Sequence, residues 1–379
     1  MAKLRVLHIA CDEKFFDTVY QTFERDSRLE NKALLITPSK DYELKWITRR
    51  DAVVEVWNKK QIVDFFMSGQ YDVVYFYSLR PDIWPYVPFI PSNKTVIWWL
   101  FGFEVYASNY GMRPLIALDL YKAKTKEIIT KIGVEYGPKK RLIRSIKKIF
   151  YQLLLPIIIK RIDYFQPIYS IEMEYMRNIK GFRAEEFYNN NSLYFTTDII
   201  VDKPKDGYVL IGNSASDTNN HLDILNTIKG RPYSQLLIPM NYGDLDYRKR
   251  VVSYINSENI KDVIVLDKFM PKKDYFELLD KCSYYVVGVI RQQASENIYY
   301  CLSKGVKVFF YPDSVSYKFF KSRGYNVYSI DDIDDKSFST PLSNNEIIHN
   351  QNLLQNEILY CDKIYAEVIN NLVAKYSES

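Results

Sequence analysis

The stretch Tyr208-Val-Leu-Ile-Gly-Asn-Ser-Ala-Ser-Asp-Thr-Asn-Asn-His221 decides how the second half of this chain is expected to fold. Its first four residues have the pattern of a buried strand. The strand runs into Gly212 and a small polar loop, and a helical pattern begins near His221. In such a corner, backbone N–H groups and the positive end of the helix dipole point into the same space. The stretch therefore predicts an anion-binding corner.

A second polar strand end, Arg291-Gln-Gln293, follows the apolar run 284–290. The planar fork of an arginine binds phosphate through two hydrogen bonds, and a helix that starts near residue 296 adds its dipole. The alternative is a surface arginine at a strand end, but the two adjacent glutamines favour a binding role. Two such corners in one half of an α/β chain predict a nucleotide-diphosphate site.

The residues expected to contact the nucleotide diphosphate lie in these two corners or beside them. His221 opens a helix next to the polar loop, and we weigh ligand contact and simple packing at the helix start equally for it. The predicted binding residues are Gly212, Asn213, Ser214, Asn220, His221, Tyr242, Arg291, Gln292, Gln293, Glu296 and Asn297.

The composition is typical of a globular protein with more than one domain. The 379 residues exceed one ordinary core, and 47% hydrophobic with 26% charged residues is not a disordered composition. A net charge of +5 does not indicate nucleic acid as a partner. The four widely spaced cysteines fit a reducing cytoplasm, and neither a signal peptide nor a membrane-spanning run is expected.

No motif in the sequence indicates a bound cofactor or metal. The chain has no G-x-G-x-x-G and no G-x-x-x-x-G-K-[ST], which disfavours dinucleotide dehydrogenases and P-loop proteins. Asp244-Leu-Asp246 matches a metal-binding D-x-D pattern, but it follows Gly243 in a region typical of a solvated turn. We therefore expect no cofactor and no metal. The 33 tyrosines and 21 phenylalanines accompany abundant Lys, Asn and Ile, so we attribute them to compositional bias.

Short apolar runs alternate with helical patterns along the chain, which predicts two α/β domains with parallel sheets. Strands are predicted at 4–10, 33–36, 73–77, 95–100, 162–168, 209–211, 235–239, 263–266, 284–290 and 306–311, and helices at 17–24, 59–67, 221–228, 247–255, 272–279 and 297–303. We expect a first domain at 1–203, a second at 204–343 after the polar linker 202–207, and a helical tail at 344–379 that packs on the first domain. Ligands of such domains bind in the crevice at the carboxyl ends of the strands.

Two acidic residues follow predicted strands of the first domain and are candidates for catalysis. Glu104 lies after the strand 95–100 among aromatic residues, where burial would raise its pKa towards that of a general base. A structural role as a helix cap or a lysine partner is equally weighted. Asp12 follows the first strand, and for it a loop or cap role is favoured over catalysis. His8 sits inside a strand pattern and is predicted to be a core residue.

The segment 139–161 carries eight basic residues and no acidic residue. Its apolar residues recur at helical spacing, and the basic residues Lys140, Arg141, Arg144, Lys147 and Lys148 lie mostly on other faces. A basic amphipathic helix of this kind favours contact with an anionic membrane surface over an ordinary domain helix with one buried side. RNA binding ranks lower, because aromatic residues are not interleaved with the basic ones.

Four of these segments together resemble one family, the TDP-N-acetylfucosamine:lipid II N-acetylfucosaminyltransferases (glycosyltransferase family 56). Where that family has W-G-A-D-L-Y, V-G-N-S-G-D-x-S-N-x-H, P-M-x-Y and R-Q-Q, this chain has Phe101-Gly-Phe-Glu-Val-Tyr106, Ile211-Gly-Asn-Ser-Ala-Ser-Asp-Thr-Asn-Asn-His221, Pro239-Met-Asn-Tyr242 and Arg291-Gln-Gln293. The order and approximate spacing agree from about residue 70 to residue 320.

The resemblance implies the GT-B fold, with two Rossmann-like domains facing a central cleft. It also implies a nucleotide-sugar donor on the second domain and a polyprenyl-diphosphate-linked saccharide acceptor on the first, on the inner face of the plasma membrane. Departures at Phe103, Glu104 and Ala215 fall where sugar and acceptor would be recognised. The resemblance therefore bears on the fold of the donor-binding domain more than on the identity of the sugar.

The sequence thus leads to a peripheral membrane glycosyltransferase of bacterial surface-polysaccharide assembly that uses a TDP- or UDP-linked deoxy- or amino-sugar. Two alternatives remain open. One is transfer of a non-sugar group, such as pyruvyl, on a similar scaffold. The other is a non-catalytic nucleotide-sugar-binding subunit.

Overall fold

The computed structural model describes residues 3–107, 112–130, 138–189 and 206–378, without the side chains of Thr130, Pro138 and Lys140. Two compact units divide the chain. The first unit holds the described residues of Met1–Ala117, Tyr136–Asn191 and Leu359–Ser379, and the second unit those of Leu118–Glu135 and Ser192–Ile358. The predicted domain boundary at residues 203 and 204 lies outside the described residues, together with most of the predicted linker.

The first unit is built on a seven-stranded parallel sheet with the strand order β3-β2-β1-β4-β5-β6-β7. Its strands are β1 (Leu4–Ala10), β2 (Leu29–Ile36), β3 (Val53–Val56), β4 (Val73–Tyr77), β5 (Thr95–Trp99), β6 (Tyr164–Gln166) and β7 (Glu185–Glu186). Its helices include α1 (Phe16–Glu24), α2 (Lys59–Met67), α3 (Phe103–Tyr106), α5 (Pro138–Arg161) and α6 (Ile171–Arg177), with a 3-10 segment at Trp84–Phe89.

The central strands of this sheet are apolar without alternation because both of their faces are covered. Every residue of β4 and of β5 is buried. Such continuous runs are typical of parallel strands that lie between two layers of helices. The edge strand β3 was not predicted, since only Val56 of its four residues is buried and the run has no clear pattern. Strand β2 begins at Leu29, earlier than predicted, with polar residues in its first half.

Aromatic side chains fill much of this first core, and His8 lies among them. Its ring centroid lies 5.0 Å from that of Tyr20 and 4.8 Å from that of Phe23. Its Nε2 lies 3.0 Å from Asn31 Oδ1, and its Nδ1 lies 3.3 Å from the Tyr77 hydroxyl. Burial lowers the pKa of His8 to about 4, so the ring is neutral. The prediction of a core histidine is confirmed.

The second unit is built on a six-stranded parallel sheet with the strand order β10-β9-β8-β11-β12-β13. Its strands are β8 (Tyr208–Ile211), β9 (Gln235–Pro239), β10 (Val263–Leu266), β11 (Cys282–Val287), β12 (Lys307–Phe310) and β13 (Tyr328–Ser329). Its helices include α4 (Ala123–Thr130), α7 (His221–Ile228), α8 (Leu245–Ser257), α9 (Lys272–Leu279), α10 (Ser295–Ser303), α11 (Val315–Ser322) and α12 (Asp335–Ser339). The predicted parallel α/β architecture is confirmed in both units.

Helix α4 precedes the second sheet by many residues and still belongs to its unit, whereas the sequence places residues 118–135 in the first domain. The start of α4 is held by hydrogen bonds from its backbone N–H groups to a side chain of α7. The Asp223 carboxylate accepts the N–H groups of Lys124 and Thr125 at 2.8 and 2.9 Å. A carboxylate at this position satisfies the unpaired N–H groups at the start of α4.

The last helix, α13 (Asn344–Ser377), contributes to both units. In its first part, Asn350 Oδ1 accepts the N–H of Asn326 in the second unit at 2.8 Å. In its last part, the hydroxyl groups of Tyr365 and Tyr376 donate to Asp26 and to the carbonyl of Asn93 in the first unit. The sequence predicts packing on the first domain for the whole tail. In the structure, the described part of the tail from Leu359 onwards belongs to the first unit, whereas the part up to Ile358 belongs to the second.

Candidate functional site

The corner after β8 depends on a glycine. Gly212 has a φ of +65°, and a Cβ at this position would lie 2.5 Å from His221 Nε2 and 3.1 Å from Asn219 Oδ1. A side chain would therefore meet both a strained backbone conformation and a steric clash. After Gly212 the chain forms a single 3-10 turn at Asp217–Asn219 and enters α7.

Asn220 links this corner to two other backbone segments, one at Gly288 and one at residues 120–122. It adopts a left-handed conformation with a φ of 52° and is fully buried. Its Nδ2 donates to the carbonyl of Gly288 at 2.7 Å and to that of Leu120 at 3.1 Å. Its Oδ1 accepts the N–H of Lys122 at 2.8 Å. The amide of this predicted ligand residue is thus occupied by the protein itself.

His221 is also buried completely. Its backbone N–H and its Nδ1 lie 3.3 and 3.2 Å from the hydroxyl of Tyr247. Burial lowers the pKa of His221 to about 3, so the imidazole is neutral. Of the two alternatives for this residue, packing at the helix start is the one that its surroundings favour.

The turn after β11 meets the turn after β8 through Gln293. Its Nε2 donates to Asn213 Oδ1 at 3.0 Å, and its Oε1 accepts the hydroxyl of Thr218 at 2.8 Å. Asn213 in turn donates to the hydroxyl of Tyr242, which is 41% exposed, at 3.1 Å. Strands β8 and β11 are neighbours in the sheet, so their carboxyl ends bring the two predicted corners together.

Arg291 extends from the same turn and is partly exposed. Its Nη1 donates to the carbonyl of Gln292 at 2.8 Å. Burial raises the pKa of Asp217, and the positive charge of Arg291 counteracts part of that rise. The hydroxyl of Tyr121 shares a hydrogen bond with Asp217. Arg291 therefore lies within electrostatic range of the turn before α7.

Helix α10 begins directly after this turn. Its first residue follows Ala294, which has a φ of 63° and supplies no side-chain cap. Glu296 forms an ion pair with Lys272 at 2.6 Å, and the buried Asn297 donates to the Tyr275 hydroxyl at 2.7 Å. A helix start without a side-chain cap is suited to an anionic ligand, because its N–H groups and dipole remain available.

The eleven predicted binding residues therefore separate into two groups. Those with exposed surface at the carboxyl edge of the sheet are Asn213, Tyr242, Arg291, Gln293 and Glu296, whereas Gly212, Ser214, Asn220, His221, Gln292 and Asn297 are buried beneath it. The sequence missed Tyr121, Asp217 and Thr218. Asp217 and Thr218 lie inside the quoted stretch, so their polarity was a signal. Tyr121 lies in a distant segment of the chain, and no sequence pattern indicated that it would be near this corner.

In the first unit, Glu104 lies at the start of the short helix α3 and is only 2% exposed. Its Oε1 accepts the N–H of Phe101 at 3.1 Å and lies 3.4 Å from Trp98 Nε1. Burial raises the pKa of Glu104, and the hydrogen bond from Phe101 opposes that rise. These contacts are those of a carboxylate that fixes a turn, which is the structural alternative for this residue.

Asp12 has a structural role in its loop. Its carboxylate accepts the backbone N–H groups of Lys45, Trp46 and Ile47 at 2.7, 3.0 and 3.2 Å. It thereby holds the segment after β2 against the end of β1. The geometry agrees with the favoured loop role and leaves catalysis by Asp12 without support.

Asp244 also has a local role. Its side chain accepts the N–H groups of Asp246 and Tyr247 and so caps α8, while Asp246 pairs with Lys249. Within the described residues, no group of three or more His, Cys, Asp or Glu side chains is placed to hold a metal ion.

Helix α5 presents a row of large apolar side chains to solvent. The exposed residues are Leu142, Ile143, Ile146, Ile149, Phe150, Leu153 and Ile157, with exposed fractions from 45% to 72%. The opposite side, with Tyr151, Ile158 and Ile159, packs on the first unit. The apolar residues that an ordinary domain helix would bury are therefore the exposed ones here.

Basic residues accompany this apolar face. Arg141, Arg144, Lys147 and Lys148 are exposed, whereas the side chain of Lys140 lies outside the described residues. Of the helices described, none is long and apolar enough to cross a bilayer.

Comparison with known proteins identifies the fold but no family. No protein-family model and no curated protein matches the chain. Among solved structures, a glycosyltransferase from Rickettsia africae ESF-5 superimposes with a TM-score of 0.60 at 10% identity, with 100% of both chains covered. The lipopolysaccharide outer core galactosyltransferase WaaB in its apo form gives 0.54 at 14% identity, covering 99% of this chain and 98% of that one.

A third structure, the E. coli trehalose-6-phosphate protein bound with UDP-2-fluoro glucose, gives a TM-score of 0.56 at 8% identity, covering 97% of this chain and 99% of that one. At these identities the similarity concerns the fold alone. The two parallel-sheet, Rossmann-like domains are those of the GT-B fold found in glycosyltransferases.

The role of Asn220 in holding the corner can be measured as stability. Asn220→Ala leaves two buried carbonyl groups and one N–H without their partner, so we expect a loss of about 3 kcal/mol in the free energy of unfolding. Asn259 has the same φ of 52° but is exposed. Asn259→Ala should therefore cost only the left-handed strain, about 1 kcal/mol. Equal urea-unfolding midpoints for the two variants would contradict this role.

Proposed function

We propose that this protein is a glycosyltransferase that binds a nucleotide-diphosphate sugar at the carboxyl edge of the second unit's sheet. The observation that carries the proposal is the bridge made by Gln293 to Asn213 and Thr218. This bridge places the Arg291 turn and the start of α10 beside the turn that precedes α7. In open α/β sheets, ligands bind at this edge.

The charges of this edge suit a diphosphate. The guanidinium of Arg291 is able to bind two phosphate oxygens at once, and the uncapped start of α10 adds N–H groups and a helix dipole. Both are preorganised for the negative charge that develops on a departing nucleotide diphosphate, which is the charge that must be stabilised in glycosyl transfer. Asp217 near Arg291 offers an acceptor for a hydroxyl group of the donor.

We further propose that the donor is a TDP- or UDP-linked deoxy- or amino-sugar and that the acceptor is a polyprenyl-diphosphate-linked saccharide. The resemblance to glycosyltransferase family 56 supports this assignment, with this chain as a divergent member. The structural similarity to a lipopolysaccharide outer core galactosyltransferase is in keeping with a role in bacterial surface-polysaccharide assembly.

The proposed acceptor requires that the protein reach a membrane, and helix α5 supports this. An exposed apolar face is costly in water unless it has a partner. The exposed basic residues on the same helix, without any acidic residue in 139–161, favour an anionic lipid surface as that partner. We therefore place the protein as a peripheral protein on the cytoplasmic face of the plasma membrane, with its apolar residues in the lipid headgroup region.

The nucleotide site can be tested by thermal denaturation in the presence of UDP, TDP and GDP and their sugar conjugates. A ligand at 100 times its Kd should stabilise the protein by about 2.7 kcal/mol, so the preferred nucleotide should give the largest rise in Tm. Absence of a shift with every nucleotide would contradict the proposal. Binding without sugar transfer to a lipid-linked acceptor would favour a non-catalytic subunit.

Arg291→Ala should abolish most of this thermal shift and lower kcat by about 10²- to 10³-fold, because the charge on the leaving diphosphate loses its main cation. Arg291→Lys keeps the charge but not the planar fork and should recover only part of the activity. Arg231→Ala is the control, since Arg231 follows the far end of α7 and pairs with Asp335 on the surface. Wild-type turnover by Arg291→Ala would refute the assignment.

Membrane binding by α5 should appear in cosedimentation with vesicles. We expect binding to phosphatidylglycerol-containing vesicles and little binding to pure phosphatidylcholine. Replacing Lys147 and Lys148 by Ala should weaken binding about 30-fold, since each basic residue near an anionic surface contributes about 1 kcal/mol. Leu153→Asp should also weaken vesicle binding, because it places a negative charge on the exposed apolar face of α5. The matched charge control is Lys59→Ala with Lys60→Ala on the exposed start of α2, and an equal loss in that variant would contradict the role of α5.

A further inference from the structure

The segment 118–122 lies at the carboxyl edge of the second unit's sheet, although it precedes that sheet by many residues. Asn220 donates to the carbonyl of Leu120 at 3.1 Å and accepts the N–H of Lys122 at 2.8 Å. The ammonium group of Lys122 pairs with Asp313 at 2.9 Å. Asn220 lies in the corner after β8, and Asp313 lies in the turn after β12. Residues that follow two different strands therefore hold this segment in place.

Tyr121 is the residue of this segment that reaches the proposed diphosphate site. Its hydroxyl shares a hydrogen bond with the carboxylate of Asp217, in the 3-10 turn before α7. Burial raises the pKa of Tyr121, so its hydroxyl is the neutral donor of this bond. The carboxylate also accepts the N–H of Thr218, whose hydroxyl bonds to Gln293 in the turn that carries Arg291. Two donors from separate parts of the chain thus orient the carboxylate of Asp217.

The charges around this carboxylate are mixed. Burial raises the pKa of Asp217, and the negative charge of Asp244 adds to the rise. The hydrogen bond from Tyr121 and the positive charge of Arg291 oppose it. Asp217 is partly exposed, and a carboxylate beside the cation of a diphosphate site repels phosphate oxygens. Its place there points to a part of the ligand that donates a hydrogen bond.

The two forms in which a nucleotide reaches this site differ in charge and in hydrogen-bond donors. In a nucleotide sugar, the terminal phosphate is esterified, and the sugar supplies hydroxyl or amino groups next to it. The free nucleotide diphosphate has no sugar and carries additional negative charge at neutral pH, because its terminal phosphate loses a second proton with a pKa of about 6. A carboxylate accepts hydrogen bonds from the first form and repels the second more strongly.

We propose that Asp217, positioned by Tyr121, gives the site a preference for the nucleotide sugar over the free nucleotide diphosphate, an inference that rests on the proposed nucleotide-sugar site. Asp217 accepts a hydrogen bond from a hydroxyl or amino group of the sugar next to the diphosphate. After transfer this bond is lost and the diphosphate carries more negative charge, so the carboxylate favours release of the product. Tyr121 is a positioning residue, since it acts through the carboxylate.

The quantity to measure is a ratio of two Kd values, that of the free diphosphate divided by that of the sugar conjugate. Both are measured by calorimetric titration with the nucleotide that gives the largest thermal shift. Asp217→Asn removes the negative charge and should tighten binding of the diphosphate about 10-fold. It should weaken binding of the sugar conjugate about 10-fold, because an amide accepts a weaker hydrogen bond than a carboxylate. The ratio should therefore fall about 100-fold.

The sugar group that Asp217 binds can be identified with the glucose and glucosamine conjugates of the same nucleotide. A larger loss of affinity for the glucosamine conjugate in Asp217→Asn would indicate an ammonium group, because the bond to it is charge-assisted on both sides. Equal losses for the two conjugates would indicate a hydroxyl group. Each of these results supports the proposal.

Tyr121→Phe keeps the ring and removes the hydroxyl that orients the carboxylate. The ratio should fall about 3- to 10-fold, as expected for the loss of one hydrogen bond. Because Tyr121 acts through Asp217, the double variant should give the same ratio as Asp217→Asn alone. A purely structural role of Tyr121 would instead weaken the binding of both ligands together and leave the ratio unchanged.

The first unit offers a matched control with the same three types of side chain. There the hydroxyl of Tyr365 donates to Asp26 at 3.0 Å, and Asp26 also accepts a hydrogen bond from Arg28 at 2.8 Å. Asp26→Asn and Tyr365→Phe should leave the ratio at its wild-type value, since both residues belong to the other unit.

An unchanged ratio in Asp217→Asn, or in Tyr121→Phe, would overturn the proposal. If Asp217→Asn does not fold, Tyr121→Phe decides, because it removes only a hydroxyl group from a partly exposed residue outside the sheet. Failure of the proposed function is distinct, since the wild type would then bind neither form of any nucleotide.

Discussion

The hydrogen bonds of two amide side chains hold together the part of the molecule on which its proposed function depends. Gln293 connects the turn after β11 to the turn after β8, and Asn220 connects the second of these to Gly288 beneath it. The backbone at Gly288 lies so close to Asn219 that position 288 requires a residue without a side chain. A Cβ there would lie 2.1 Å from the carbonyl oxygen of Asn219. Hydrogen bonds between buried polar groups favour one arrangement of these turns, so the proposed site is preorganised before any ligand arrives.

This arrangement divides the polar residues of the corner into supporting and exposed ones. Asn220 and His221 carry the polarity typical of a binding site, yet they serve to fix the backbone. Arg291 and Tyr242 keep exposed surface, so they are the residues that the proposed ligand would reach first. A change at a supporting residue should therefore appear first in stability, and a change at an exposed one in binding.

The first unit shows the same distinction among its acids. Three carboxylates near the ends of β1 and β5 have different surroundings: Asp12 is bound by a loop, Glu104 is buried under a turn, and Glu13 accepts the N–H of Phe15. Burial and the neighbouring N–H donors, rather than the residue type, distinguish these three surroundings. On helix α5 the same unit exposes a row of apolar side chains, which is typical of a surface that binds a partner.

The sequence by itself determined the class of fold, because strand and helix periods are local properties. Strands such as β4 and helices such as α2, α7 and α9 agree with the predicted bounds to the residue. It also located both turns of the proposed site, since glycine, small polar residues and arginine have conformational and chemical preferences of their own. Only the tertiary structure decided the other features. These are edge strand β3, the place of α4 in the second unit, the burial of Asn220 and His221, and the hydrogen bond that Glu13 accepts from Phe15. Burial and hydrogen-bond partners depend on residues far apart in the chain, so no local pattern contains them.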